Sequence, residues 1–284
     1  MKRISKFLTS ILKLFRWQNL IIVALTQYGA AYFLIGTITL ENLLINTNML
    51  LLCFSTLMLT ASGYVINDYY DVKIDYVNKP QRVVIGKVLK RRSSLILHAS
   101  MNSIGIIAGF LISWQIGVVD ILAAGLLWLY SNQLKRLPLL GNLAVSILTG
   151  LAVFIVYIVF RNSFFLFTAY AAFAFFISLI REIIKDMEDI EGDKKFDCKT
   201  LPIAIGIRKS KLVIYIINVL FLVVVALLLQ QEPRFWWIFT GLIIMLSWLT
   251  VWLFKADKSG DFTNLSKLSK QIMILGLVSM IFIQ

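Results

Sequence analysis

Ten of the fifteen acidic residues of this 284-residue chain fall in two short stretches. The first holds Asp68, Asp71 and Asp75; the second holds Glu182, Asp186, Glu188, Asp189, Glu191, Asp193 and Asp197. Within them Asp68, Asp71, Asp75 and Asp186, Asp189, Asp193 share the spacing 0, 3, 7, the second set standing 118 positions after the first. On a helix those offsets stack three carboxylates on one face. Like charges at helical neighbour spacing repel, so a duplicated ladder is a poor structural choice without cations. Solvated helix ends paired with adjacent Lys and Arg would account for Glu182, Glu188 and Glu191 but not for the duplicated triads. Mg²⁺ accounts for them better, because it takes oxygen ligands, keeps several waters and commonly bridges one or two carboxylates to substrate phosphates. Lys73, Lys79, Arg82, Lys185 and Lys194 lie in or beside the same stretches and suit the remaining phosphate oxygens. Six Asp on two helices suggest two metal sites flanking one diphosphate.

The elements that carry these ladders follow from composition. Hydrophobic residues make up 59% of the chain, charged residues only 15%, and the mean hydropathy is +0.83. A soluble domain carries about 25% charged residues, so an ordinary globular protein is excluded, as is a disordered one. Runs long enough to cross a bilayer cover 20–36, 49–66, 95–113, 116–130, 139–160, 164–180, 212–230, 235–254 and 265–284. Nine spans create ten alternating extramembrane segments; one alternate set, taken with Lys267 and Lys270 at the start of the last span, holds 26 of the 28 Lys and Arg, and the other holds only Arg161 and Arg234. That asymmetry predicts a multi-pass protein of the cell membrane with its N-terminus cytoplasmic and its C-terminus outside. Both ladders then face the cytoplasm. The net charge of +13 orients the chain and suits anionic lipid; it does not mark a nucleic-acid binder.

Residues 1–16 alternate basic side chains with Phe7, Leu8, Ile11, Leu12 and Phe15, the pattern of an amphipathic helix on the membrane surface. A cleaved leader over 1–31 is disfavoured, because the apolar stretch exceeds an h-region. Cys53 and Cys198 are far apart and have no metal-ligand spacing, and the single His98 reads as a hydrogen-bonded packing residue. Gly105 and Gly109 form a small-xxx-small pair that allows close helix packing and specifies no oligomer.

A metal-diphosphate site at a membrane surface suits a lipid with a diphosphate head and a hydrocarbon tail, such as an isoprenyl diphosphate. Ionisation of its allylic C–O bond gives a carbocation that aromatic faces stabilise by about 0.5–2 kcal/mol each and a water-poor site protects. Tyr64, Tyr130 and Tyr157 are the candidates among the 37 aromatic residues.

The sequence Asn67-Asp68-Tyr69-Tyr70-Asp71-Val72-Lys73-Ile74-Asp75 resembles the NDxxDxxxD signature of the UbiA-type membrane prenyltransferases. The run from Arg181 to Asp193, followed by Thr200-Leu201-Pro202-Ile203, resembles their second Asp motif. Arg16 with Asn19, Asn78-Lys79-Pro80 with Arg82, and Tyr130-Ser131 before Lys135 are similar as well, so the likeness covers essentially the whole chain. It implies a single all-α integral membrane domain over 1–284, with nine transmembrane helices in a bundle around a central cavity and two pseudo-repeated halves. It further implies Mg²⁺ and a polyprenyl diphosphate held by Asn67, Asp68, Asp71, Asp75, Asp186, Asp189 and Asp193, with Asp71, Asp75, Asp189 and Asp193 central to catalysis. Lys79, Arg82, Lys135 and Lys185 would contact the diphosphate, and Arg16, Asn19, Tyr130 and Ser131 would lie on the acceptor side. One departure is Arg82-Val83-Val84-Ile85-Gly86, where many members have Arg-Pro and a Pro-Ser-Gly. The second motif, through Lys199-Thr200-Leu201-Pro202-Ile203, most resembles members that alkylate geranylgeranylglyceryl phosphate; aromatic acceptors such as hydroxybenzoate or dihydroxynaphthoate are the alternative.

Two other classes compete. A secondary transporter would place its acids near the midplane on broken helices, whereas these Asp sit at helix ends. A CDP-alcohol phosphotransferase would need an Asp-Gly-x-x-Ala-Arg run, which the sequence does not contain.

Overall fold

The computed structural model describes residues 9–78, 83–196, 198–231 and 236–283. Its regular elements are helices: α1 (Trp17–Ile35), α2 (Leu40–Ile45), α3 (Thr47–Asn78), α4 (Arg91–Ile112), α5 (Trp114–Asn132), α6 (Leu140–Phe160), α7 (Phe164–Glu188), α8 (Ile190–Lys195), α9 (Leu201–Ile205), α10 (Ile207–Gln231), α11 (Trp236–Lys255) and α12 (Ser259–Val278). This is what the bilayer demands, because a spanning segment must satisfy every backbone group internally. Among the described residues eight helices are long and apolar enough to cross a membrane, and a shorter apolar stretch, Phe239–Lys255, occupies the place of the expected eighth span. The chain is therefore a multi-pass membrane protein.

The connections are short and chemically specified. Asn46 Oδ1 accepts from the Met49 amide at 3.0 Å and opens α3. Ser113 alone links α4 to α5, and its hydroxyl accepts from the Ile116 amide at 3.3 Å. Such caps supply acceptors for the orphan amides of a helix start.

The chain divides into two compact units. One comprises the N-terminal stretch through Tyr28 with Ile38–Gln133; the other comprises Gly29–Thr37 with Leu134–Gln284. In the first unit α4 packs along α3, and α5 against both. Gly105 and Gly109 are the reason the helices can approach: a Cβ on Gly105 would lie 3.2 Å from Leu59 and Met58, and one on Gly109 would run into the Asp120 carboxylate. The small-xxx-small pair is thus spent inside the unit. His98 bonds the Ser62 carbonyl through Nδ1 at 3.0 Å and the Asn102 amide through Nε2 at 3.2 Å, as expected of a packing residue.

The segment before α1 contributes Leu14, almost fully buried with Val65, Val84 and Ile85. Its described helical part spans 9–14, while residues 1–8 of the expected amphipathic helix lie outside the described residues. Ile85, buried in the same cluster, anchors the turn where the resemblance led one to expect a Pro-Ser-Gly. There the Gly86 amide donates to the Leu89 carbonyl at 2.8 Å and Gly86 takes φ +90°, a conformation that glycine permits. Apolar burial and one glycine thus order this loop without the proline.

In the second unit α7 is the central helix, packed by α6, α10 and α12. Ile177, Ile180, Ile184 and Met187 form its buried stripe at helical spacing, against Ile214 of α10 and Phe262 and Leu265 of α12. A Cβ on Gly276 would strike the Phe173 ring, so α12 can lie against α7 only with glycine there.

Candidate active site

The first ladder lies where the sequence put it, on one unbroken helix. α3 runs 32 residues, continuing past the apolar span so that Asp68, Asp71 and Asp75 share a face at its C-terminal end. Asp68 accepts a bond from Arg16 Nη2 at 3.1 Å. Arg16 ends the N-terminal helical turn with φ +51°, and its guanidinium also covers the Tyr64 ring at 4.7 Å. The Tyr64 hydroxyl accepts from Asn19 Nδ2 at 3.2 Å. Arg16, Asn19 and Tyr64 therefore form one cluster beside the first ladder. Two further cations ride on tyrosines of the same helix, Arg91 over Tyr69 at 4.6 Å and Lys87 over Tyr76 at 5.0 Å. Lys79 and Arg82 lie outside the described residues. Tyr130 lies in the last turn of α5 next to Ser131, whose buried hydroxyl donates to the Leu127 carbonyl of its own helix at 2.9 Å.

The second ladder departs from the expected single helical face. α7 stops at Glu188, Asp189 stands at the junction with φ −94° and ψ 7°, and α8 carries Asp193. Three acids in four residues, Glu188, Asp189 and Glu191, crowd a helix C-terminus whose dipole disfavours negative charge. α12 secures the end: Ser259 Oγ donates to the Glu188 carbonyl at 3.3 Å and Thr263 Oγ1 to its carboxylate at 3.0 Å. Asp189 is exposed while Asp186 and Asp193 are half-buried. Glu182 binds Arg181 at 2.7 Å and Lys185 at 3.2 Å, the structural role its sequence context suggested. Asp186 accepts from Asn142 Nδ2 at 2.8 Å.

Lys135 lies in the 3₁₀ turn Leu134–Arg136, which the Lys199 amide ties to the segment following the second ladder through the Arg136 carbonyl at 2.9 Å. A Cβ on Gly141 would lie 2.8 Å from the Lys135 Cα, so the turn folds back tightly on the start of α6. Tyr157, by contrast, stacks on Phe154 and Phe164 at 5.3 and 5.2 Å. It stands about 22 Å along α6 from Asn142 at 1.5 Å per residue, so it is a packing residue remote from the second ladder. Asn142 went unnoticed in the sequence, although a polar amide entering an apolar helix was the available signal. Asp120, buried in α5 with Ser55 Oγ donating to it at 2.5 Å, carried the same signal.

Among the described residues no three acids, histidines or cysteines converge as a ready-made metal cage. Mg²⁺ can bind through one or two carboxylates, with waters and phosphate oxygens completing its shell. The all-oxygen donor set, with Arg and Lys held nearby, is the chemistry such a bridge needs.

The model of the UbiA prenyltransferase family matches residues 18–269. A digeranylgeranylglyceryl phosphate synthase of Methanosphaera stadtmanae is 42% identical over 161 residues, 57% of this chain and 59% of that protein. One of Methanoregula boonei is 33% identical over 202 residues, 66% of each chain. The chain thus matches somewhat under three fifths to two thirds of the length of these relatives. A solved digeranylgeranylglyceryl phosphate synthase structure shares the fold with TM-score 0.81 at 24% identity, covering 98% of both chains. A UbiA homolog from Archaeoglobus fulgidus bound to GPP and Mg²⁺ shares it with TM-score 0.68 at 16% identity, covering 96% of this chain and 99% of that one.

Proposed function

This chain belongs to the UbiA prenyltransferase family, and from that premise we propose that it transfers a prenyl group from a polyprenyl diphosphate to geranylgeranylglyceryl phosphate. The allylic C–O bond breaks, the diphosphate departs with the electron pair, and an ether bond forms to the free hydroxyl of the acceptor, which gives up its proton. The observation that carries the acceptor is the identity to relatives named as digeranylgeranylglyceryl phosphate synthases, 42% over 161 residues for that of Methanosphaera stadtmanae.

Asp71, Asp75, Asp189 and Asp193, with Asn67, Asp68 and Asp186, are the proposed Mg²⁺ and diphosphate residues. The bound GPP and Mg²⁺ of the Archaeoglobus fulgidus homolog support that pairing. Mg²⁺ would neutralise the diphosphate and make it a better leaving group. Lys135 and Lys185, with Lys79 and Arg82, contact the diphosphate oxygens in this reading. Arg16 and Asn19 serve the acceptor side: a guanidinium engaged by one bond to Asp68 retains further N–H donors for an anionic headgroup. Tyr130 and Ser131 are assigned to that side by motif. The distribution of basic residues supports a cytoplasmic N-terminus, both ladders on the cytoplasmic side and a C-terminus outside in the cell membrane.

The test is a matrix assay on detergent-purified protein. Geranylgeranyl and farnesyl diphosphates are crossed with geranylgeranylglyceryl phosphate, 4-hydroxybenzoate and dihydroxynaphthoate, with and without Mg²⁺, and products are read by mass. The ether lipid is the expected product; a prenylated aromatic would move the chain to quinone biosynthesis. A cysteine introduced near Gly86 is expected to label from the cytoplasmic side only, and labelling from outside would reverse the orientation.

A further inference from the structure

The geometry points to Asn142 as the residue that positions Asp186 for the metal-bound diphosphate, an inference that rests on the function proposed above. Asn142 is the third residue of α6, is 6% exposed, and places Nδ2 2.8 Å from Asp186 Oδ2 across 44 residues of chain. The amide must present its nitrogen, since an ionised carboxylate can only accept. A polar group buried in an apolar helix is costly unless bonded, and this bond is its compensation. Ser146 Oγ donates to the Asn142 carbonyl at 2.6 Å, tying the same helical turn together.

The choice of partner matters chemically. A Lys or Arg at this place would orient Asp186 but cancel the charge that a divalent cation needs. A neutral amide fixes the carboxylate through one oxygen without adding a positive charge. Asn142 thus acts through Asp186.

Partners of this kind affect metal affinity by about 10- to 100-fold. Asn142→Leu, close in volume but without a donor, is therefore expected to raise the Mg²⁺ concentration needed for geranylgeranyl diphosphate binding by about tenfold. The readout is calorimetric titration of the full chain in detergent, without acceptor. Asp186→Asn should weaken binding too, and adding Asn142→Leu to it should cost nothing further, because the amide has lost the carboxylate it positions. If Asn142→Leu fails to fold, Asn142→Ala completes the same cycle. Wild-type protein that binds no Mg²⁺-diphosphate would overturn the proposed function, and this inference with it. Wild-type binding with an unchanged Mg²⁺ requirement in the Asn142 variant, or an equal loss in the Asp186→Asn background, would overturn the assignment of Asn142 alone.

Discussion

The two carboxylate ladders share their spacing and differ in nearly everything the spacing does not specify. Asp68, Asp71 and Asp75 ride one uninterrupted helix, whereas Asp189 divides the second ladder between α7 and α8. The leading Asp of the first ladder is held by a cation, Arg16; that of the second is held by the neutral amide of Asn142. Beside the second ladder Arg181 and Lys185 pair with Glu182. The two ladders thus share the register of their charges while their supports differ. In the proposed reaction this predicts a division of labour: Arg16 serves an anionic acceptor beside the first ladder, and Asn142 positions Asp186 for Mg²⁺ in the second.

The sharpest test of that division removes one carboxylate from each. Asp71→Ala on the straight ladder and Asp189→Ala at the bend should each lower product formation more than about tenfold, with thermal unfolding midpoints near wild type. Full activity in either variant would show that one ladder suffices. EDTA should stop turnover of the wild-type enzyme, and added Mg²⁺ should restore it; activity indifferent to both treatments would remove the metal from both ladders.

Arg16→Ala should raise the acceptor KM about tenfold, the loss of one charge-assisted interaction, while its Mg²⁺ requirement stays within about twofold. A reversed pattern, with Mg²⁺ dependence moved and acceptor KM unchanged, would merge the two roles. Glu182→Gln frees Arg181 and Lys185 from their half-buried pairs and should lower kcat/KM about threefold. Glu191→Gln, on an exposed position, should change it by less than about twofold. Equal effects of the two would mean that the Glu182 pairs position nothing.

Much of this was legible in the sequence. Apolar runs announced the helices because a bilayer admits little else, and the 0, 3, 7 spacing announced the ladders. Tyr64 was singled out and lies beside Asp68 with Arg16 and Asn19. Tyr157 was singled out on the same grounds and proved remote, because aromatic abundance says nothing about which end of a helix carries the chemistry. The second ladder was expected on a single face because periodicity is a local signal. Its break at Asp189 adjoins Glu188, which takes bonds from Ser259 and Thr263, more than 70 residues away.

By itself, then, the sequence determined the membrane class, the helical segments and the register of both sets of Asp, since hydropathy and spacing act over one or two helical turns. Only the tertiary structure decided which side chain holds each leading carboxylate. Arg16 reaches Asp68 across 52 residues and Asn142 reaches Asp186 across 44. Such contacts are set by how helices pack, and helix packing is decided by sites like Gly105 against Leu59 or Gly276 against Phe173, where the absence of a side chain lets two backbones approach.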